Sequence, residues 1–297
     1  MAMNLDDKLV VGISSRALFD LEEENRIFEE KGLAAYIEYQ HEHENDILKP
    51  GPAFPLVRAL HRLNAGGEHL TEIIVMSRNN ADTSLRIFHS IEHYGLDICR
   101  AALAGGASIS PYLGAFRTDL FLSADESDVQ AAVNAGVAAG IICMPAVDVD
   151  PLATVSQIRI AFDGDAVIFS DESEKIYKEK GLEAFIANEK ARAKDPLEEG
   201  PFARFLKTVS LIQSHFDAEH APIRTALVTA RNAPAHERVV RTLRAWNVRI
   251  DEAFFLGGVS KSDILRAFGA HIFFDDQSVH TDPASKVVPA ARVPYKQ

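Results

Sequence analysis

The chain has 297 residues, of which 47% are hydrophobic and 25% charged, and its formal net charge is −12. This length and composition are typical of one large or two ordinary globular domains, and the acidic balance argues against nucleic acid or an anionic membrane as the main partner. Two cysteines, Cys99 and Cys143, are too few for a disulfide framework. Together with the lack of a signal-peptide pattern or an apolar run of about 20 residues, they favour a cytoplasmic location.

Taken in chain order, the first half of the sequence alternates short apolar runs with longer amphipathic stretches. The run LVVGI at residues 9–13 predicts a strand, and the charged stretch at residues 22–44 has helical periodicity. A Gly-Pro pair at residues 51–52 marks a loop before another helix. Further strands are predicted at residues 72–77, 101–104 and 120–123.

The second half follows the same succession. A strand at residues 158–162 (IRIAF) precedes a charged helix that opens near residue 171, and a Gly-Pro pair follows at residues 200–201. Further strands are predicted at residues 225–230, 253–256 and 271–275. Short apolar strands alternating with helices predict an α/β fold with a parallel sheet covered on both faces, and such sheets bind ligands at the carboxyl ends of their strands.

The two halves also share sequence. GGASISPYLGAFRTDLFLSA (105–124) and GGVSKSDILRAFGAHIFFDD (257–276) are identical at eight of twenty positions without a gap. Earlier in each half, FEEKGLAAYIEYQ matches YKEKGLEAFIANE, and IIVMSRN matches ALVTARN, in the same order. Shared apolar periodicity would not explain the recurrence of KGL, RN and GG-x-S-x-S. We predict an internal duplication that gives two tandem Rossmann-like units, at residues 8–139 and 158–297, joined by a linker at residues 140–157.

Polar residues follow the predicted strands of the second half, where a parallel sheet would place a site. Asp163 and Asp165 end the first strand, and Thr229 ends the second. Lys261 comes after the third strand, and the fourth ends at the acidic pair 275–276. Adjacent carboxylates raise each other's pKa, which calls for a cation to offset them. The set suits phosphoryl transfer with Mg²⁺, in which a carboxylate forms an aspartyl-phosphate.

The first half carries other residues at the aligned positions. The alignment sets Asp163 against Ile13, Asp165 against Ser15, Thr229 against Met76, Lys261 against Ile109, Asp275 against Ser123, and Asp276 against Ala124. Because the surrounding strand and helix signals are kept, these six residues behave as one set, and we predict a single active site in the second half. The first half would be architectural, form a wall of the pocket, or bind a nucleotide effector, and we favour architecture with a pocket wall.

The order of these motifs resembles that of the haloacid-dehalogenase-like phosphohydrolases. In that superfamily D-x-D follows the first strand, Thr the second, Lys the third and an acidic pair the fourth. Longer strings are more specific than a lone D-x-D: SSRALFD, GPAFPLVRAL, AFDGDAVIFSDESE, LVTARN and HIFFDDQ are similar to the cytosolic 5'-nucleotidase I family. The resemblance extends over about residues 8–295.

This resemblance implies an enzyme that hydrolyses a nucleoside 5'-monophosphate to nucleoside and phosphate with Mg²⁺. It makes Asp163 the nucleophile and Asp165 the general acid for the leaving 5'-oxygen, and then the base that activates water. Thr229 and Lys261 would bind phosphate. The implied metal ligands are Asp163, the backbone carbonyl of Asp165, and Asp275 or Asp276.

Two alternatives stay open. One is a phosphatase of the same superfamily that acts on another small phosphomonoester, such as a sugar phosphate. The other is a nucleotide-binding regulatory protein with little turnover, although a pure binder has no need for two carboxylates beside a phosphate. Ala230, Arg231 and Asn232 are candidate substrate contacts, but the alignment of Arg231 and Asn232 with Arg78 and Asn79 favours a shared structural role at least as strongly.

Two further features have both a functional and a plainer interpretation. The superfamily places a cap at residues 171–222, where Phe185 and Phe202 are apolar candidates for substrate contact, with core packing preferred for both. His41 and His43 would point about 200° apart on a helix, so a solvated helix is preferred to a metal site. The predicted partner is a small-molecule nucleotide, with neither nucleic acid nor membrane.

Overall fold

The computed structural model describes residue 5 and residues 8–64, 69–143 and 157–297. Strands and helices alternate through the first half of the chain. Its strands are β1 (Leu9–Ile13), β2 (Thr71–Ser77), β3 (Arg100–Leu103), β4 (Leu120–Ser123) and β5 (Ala138–Ile142). Its helices are α1 (Ser15–Leu18), α2 (Glu22–Glu42), α3 (Phe54–His61), α4 (Leu85–His93), α5 (Ser110–Ala115) and α6 (Glu126–Asn134).

The second half has the same alternation. Its strands are β6 (Ile158–Phe162), β7 (Ile223–Thr229), β8 (Glu252–Phe255), β9 (Ile272–Asp275) and β10 (Ala290–Arg292). Its helices are α7 (Glu172–Ala191), α8 (Ala203–Ser214), α9 (His236–Ala245), α10 (Lys261–Phe268) and α11 (Ser278–Ala284). The strands predicted from the sequence are confirmed to within two residues. Of the predicted linker, residues 144–156 lie outside the described residues.

The strands form a single sheet in the order β3-β2-β1-β4-β5-β10-β9-β6-β7-β8. Neighbouring strands are parallel except at the β5–β10 pair, which is antiparallel. The first five strands therefore run opposite to the last five. The carboxyl ends of the two sets of strands therefore lie on opposite sides of the sheet. The carboxyl ends of the first-half strands lack the candidate catalytic residues, and we call them the vacated strand ends. They face away from the strand ends that carry those residues.

Helices cover both faces of this sheet, which explains the nearly unbroken apolar sequences of its strands. One large hydrophobic cluster on one face includes residues of both halves, and each half has a smaller cluster of its own. Helices of each half also pack against strands of the other half: α8 contacts β1, and α3 contacts β6. The predicted α/β class with a large, mostly parallel sheet is confirmed.

The KGL motif has the same conformation in both halves. It places Gly32 within α2 and Gly181 within α7, with φ angles of 81° and 79°. A residue with a side chain rarely adopts such a φ, so each glycine allows a break within a long helix. The motif is a matched structural feature of the two halves.

Backbone hydrogen bonds correct the alignment of the halves at β1 and β6. The N–H of Ser14 donates to Leu122 (2.9 Å), and the N–H of Asp163 donates to Phe274 (2.8 Å) in the same way. Asp163 therefore occupies the position of Ser14, and the expected match with Ile13 is wrong by one residue.

The cause of this slip is an additional residue in the turn that follows Asp163. The N–H of Phe169 donates to the carbonyl of Gly164, five residues earlier, whereas the N–H of Phe19 donates to Ser15, four residues earlier. Ala166 accommodates the wider turn with a φ of 61°, a left-handed conformation that is uncommon for a residue other than glycine. The turn that carries Asp165 is thus one residue longer than its equivalent in the first half. Asp165 and Ser15 therefore do not occupy the same structural position, contrary to the predicted match.

Candidate active site

Two of the predicted carboxylates meet around one lysine. Asp163 follows β6 and Asp275 ends β9, and these two strands are parallel neighbours. Lys261, the first residue of α10, donates from Nζ to Asp163 Oδ1 (2.7 Å) and to Asp275 Oδ2 (2.6 Å). Its side chain is 4% exposed, so both ion pairs are shielded from water. The structure thus places Asp163, Lys261 and Asp275 in direct contact.

Burial sets the electrostatics of this cluster. It raises the pKa of Asp163, and together with the Asp163 charge it raises the pKa of Asp275 to about 8. Burial also raises the pKa of Asp276 to about 7. Burial alone would lower the pKa of Lys261, but the charges of Asp163 and Asp275 outweigh it, so the pKa is raised and the ammonium is retained. Fully ionised, three carboxylates with one ammonium would carry an excess of negative charge, which is why a further cation would be stabilised here.

The cluster fits a divalent cation. One carboxylate oxygen from each of Asp163, Asp275 and Asp276 lies within 4.8 Å of the other two. Asp276 Oδ1 is buried and has no hydrogen-bond partner, as expected for an oxygen that binds an ion. An all-oxygen set with a few carboxylates suits Mg²⁺. Among the residues that the structure describes, this is the one such group of potential metal ligands.

Asp165 lies outside this oxygen cluster. Its two carboxylate oxygens accept hydrogen bonds from Arg231, with Nη2–Oδ1 and Nε–Oδ2 distances of 2.6 Å and 2.8 Å. The prediction of Asp165 as a metal ligand concerned its backbone carbonyl, and that stays a prediction. Thr229 is 1% exposed, and its hydroxyl accepts from the N–H of Arg231 (3.2 Å).

Thr229 and Arg231 have other equivalents in the first half than the alignment predicted. The hydroxyl of Ser77 accepts from the N–H of Asn79 (3.1 Å), as Thr229 does from Arg231. Ser77 is thus the equivalent of Thr229, and the match with Met76 is wrong because the apolar strands align equally well one residue apart. Arg231 correspondingly matches Asn79.

This shift also separates Arg231 from Arg78. Arg78 donates to Asp128 (Nη2–Oδ1 2.5 Å) and to Ser127, both on α6, and contacts no counterpart of Asp165. Arg231 is therefore specific to the second half, and its predicted match with Arg78 is wrong. Its neighbours Ala230 and Asn232 are exposed, and their contact with substrate stays a prediction.

Tyr295, in the segment after β10, also contacts the site and was not among the predicted residues. Its hydroxyl hydrogen-bonds to Asp276 and to Glu174 Oε2 (2.8 Å). Burial and the hydrogen bond to Asp276 raise the pKa of the Tyr295 phenol, so it remains a donor. The Tyr295 carbonyl accepts from Gln130 on α6 (2.8 Å), which fixes this segment against the first half. A single tyrosine in an aperiodic segment carries no sequence signal for such a role.

A cavity of about 360 Å³ lies beside Tyr295. Its wall includes Val133 and Gly136 of the first half and Ala166 and Arg204 of the second. Residues of the first half therefore line a cavity next to the candidate site, although the vacated strand ends of that half lie at the other end of the sheet.

The first half has small hydroxyl side chains at its vacated strand ends. The hydroxyls of Ser15 and Ser77 lie 3.1 Å apart, and Ser123 stands where Asp275 stands in the second half. Ile109, the residue immediately before α5, is aligned with Lys261, the first residue of α10. These side chains retain the fold of the strand ends without a carboxylate and ammonium cluster.

The plainer interpretations of two other motifs are supported. His41 Nε2 pairs with Asp82 (3.0 Å) and His43 Nδ1 with the Tyr39 carbonyl (2.9 Å), so the two rings do not share a ligand. Phe202 is buried, with its ring centroid 4.6 Å from that of Phe274 in the core. Phe185 is also buried, and its ring faces the Arg231 guanidinium at 5.4 Å.

Comparison with known proteins gives the family of the chain. A family model described as 5'-nucleotidase matches residues 1–297. Human cytosolic 5'-nucleotidase 1B is 42% identical over 291 residues, which are 94% of this chain and 47% of that protein, so the chain spans about half the length of this curated relative.

A solved structure, histidinol dehydrogenase from Elizabethkingia anophelis, matches with a TM-score of 0.23 and 10% identity over 96% of this chain and 52% of that one, too low to support an argument. In the described part of the chain, no helix has the length and apolar character needed to cross a membrane. Because the 5'-nucleotidase family model matches residues 1–297, the chain belongs to the 5'-nucleotidase family.

Proposed function

We propose that this chain hydrolyses nucleoside 5'-monophosphates to nucleoside and phosphate with Mg²⁺, through an aspartyl-phosphate on Asp163. The observation that carries the proposal is the buried cluster of Asp163, Lys261, Asp275 and Asp276 at the ends of neighbouring parallel strands, in a chain of the 5'-nucleotidase family. A carboxylate nucleophile divides one difficult displacement into two easier ones.

In the first step, an Asp163 carboxylate oxygen attacks phosphorus and the bond from phosphorus to the 5'-oxygen breaks. Asp165, protonated at this stage, gives its proton to the leaving oxygen. In the second step Asp165 takes a proton from water, whose oxygen attacks phosphorus and displaces Asp163 as a carboxylate. Lys261 and Thr229 hold the phosphoryl oxygens through both steps.

Asp163, Asp275 and Asp276 would hold the metal, with the Asp165 carbonyl as a further ligand. When bound, Mg²⁺ would offset the negative charge of the phosphoryl group and of the carboxylates around it. Lys261, which contacts Asp275, would hold a phosphoryl oxygen with its ammonium.

The organisation of the chain belongs to the same proposal. Two haloacid-dehalogenase-like units arose by duplication, with a degenerate copy at residues 8–139, a catalytic copy at 158–297 and a cap-like insertion at about 171–222. The mirrored strand order about the β5–β10 pair and the matched glycine breaks at Gly32 and Gly181 support it. A cytoplasmic location is also proposed, since the human relative is described as cytosolic.

The test is phosphate release from a panel of nucleoside 5'-monophosphates and sugar phosphates, with Mg²⁺ and with EDTA. Release from AMP or another nucleoside monophosphate that exceeds release from every sugar phosphate and stops in EDTA is the expected result. Faster release from a sugar phosphate would instead identify a phosphatase for another small phosphomonoester. Nucleotide binding without release from any substrate would identify a regulatory protein.

A further inference from the structure

A buried network of charges connects Asp165 to α7. Arg231 binds Asp165 with two hydrogen bonds and donates from Nη1 to Glu189 Oε2 (2.5 Å). Glu189 Oε1 in turn accepts from Arg238 Nη1 (2.9 Å) and from the Ser173 hydroxyl (3.0 Å). We call Asp165, Arg231, Glu189, Arg238 and Ser173 the Arg231 network.

The network is held tightly and out of water. The Arg231 side chain is 2% exposed, and those of Glu189 and Arg238 are fully buried. Burial would raise the pKa of Glu189, but the charges of Arg231 and Arg238 outweigh it and lower that pKa. Buried ion pairs of this kind are seldom more stable than apolar side chains of the same size, so stability alone does not account for the network.

We propose that Arg231 is a positioning residue, which holds the Asp165 carboxylate in the orientation needed for proton transfer and is itself held by Glu189 on α7. This inference rests on the proposed function. A guanidinium that binds both oxygens of a carboxylate fixes the plane and direction of that carboxylate, as an ammonium cannot.

The contact leaves Asp165 able to move a proton. Each carboxylate oxygen has two acceptor sites, and Arg231 occupies one on each. One site on each oxygen remains, and either can carry the proton that Asp165 gives to the leaving 5'-oxygen and later takes from water. Because Glu189 lies on α7 in the predicted cap segment, the orientation of Asp165 also depends on the position of that helix.

The test compares Arg231→Met with wild type on two substrates that differ in one atom: AMP, and the analogue with sulfur in place of its 5'-oxygen. A thiolate leaves without protonation, whereas the alkoxide of AMP needs the acid. The parameter to compare is kcat/KM, because it reports the steps up to departure of the leaving group. We expect a loss of about 100-fold for AMP and of less than about threefold for the sulfur analogue.

Two variants control for folding. Arg231→Lys keeps the charge but not the paired hydrogen bonds, so we expect a smaller loss with the same preference between the substrates. Arg78→Met removes a comparable arginine–aspartate contact in the first half, and we expect no change on either substrate.

Two results would overturn the inference. If the wild type hydrolyses AMP, equal losses of kcat/KM on both substrates, or no loss on either, would contradict the positioning role of Arg231 and leave the proposed function standing. A wild type that releases no phosphate from any nucleoside monophosphate with Mg²⁺ would contradict the proposed function as well.

Discussion

Asp163→Asn is expected to lower kcat for nucleoside monophosphate hydrolysis by about 10⁴-fold or more, the scale of loss when a covalent nucleophile is removed. The amide keeps the shape of the side chain but has no carboxylate oxygen to attack phosphorus. The metal-free variant should melt no lower than wild type, because burial already raises the pKa of Asp163 and Lys261 keeps its contact with Asp275. Phosphate release with Mg²⁺ and a thermal melt in EDTA measure the two effects.

Ser14→Ala is the matched control, since Ser14 occupies the position of Asp163 in the first half. Its hydroxyl accepts from the N–H of Ala17 (3.2 Å) at the start of α1, so its loss should lower the free energy of unfolding by about 1 kcal/mol. The kcat of the folded variant should equal that of wild type. Wild-type activity in Asp163→Asn, or loss of kcat in folded Ser14→Ala, would contradict the assignment of a single active site.

Lys261→Met is expected to lower the free energy of unfolding of the metal-free protein by about 3 kcal/mol at neutral pH, because it leaves two buried carboxylates without their cation. Asp163 and Asp275 both contact Lys261 and stand in a site that already has excess negative charge. Mg²⁺ should recover part of the loss, since an ion at the three carboxylates offsets the same charge. Denaturant unfolding in EDTA and in Mg²⁺ measures both effects.

Lys180→Met is the control for this stability effect. Lys180 is exposed on α7, and its replacement should change the free energy of unfolding by less than about 0.5 kcal/mol, with or without Mg²⁺. Equal stability of Lys261→Met and wild type in EDTA would show that the lysine does not compensate the buried carboxylates.

The sequence was sufficient to predict eight of the ten strands that the described residues form and the proximity of Asp163, Lys261 and Asp275. Asp163 follows one apolar run, Asp275 ends another, and Lys261 opens the helix that comes after a third. Parallel neighbouring strands bring their carboxyl ends together, so these positions are expected to meet whatever the details of side-chain packing. The same reasoning predicted an α/β sheet, because its strands and helices differ clearly in length and periodicity.

Contacts between distant segments could not be read in this way. The residues of the Asp165–Arg231 pair are 66 positions apart, and the recurrence of Arg-Asn concealed a one-residue shift that only backbone hydrogen bonds reveal. Tyr295 reaches Asp276 from a segment without periodicity. The antiparallel β5–β10 pair reverses the direction of half the sheet, and neither strand's composition encodes that direction.

The most direct test of the central claim is to trap the covalent intermediate. Wild-type enzyme turning over a nucleoside monophosphate with Mg²⁺ is quenched in acid, reduced with borohydride to convert an acyl phosphate to an alcohol, and analysed by peptide mass spectrometry. We predict that the reduced residue is Asp163, that no other carboxylate is reduced, and that omission of substrate abolishes the modification. Reduction at another aspartate, or an unmodified Asp163 under conditions of demonstrated turnover, would contradict the account.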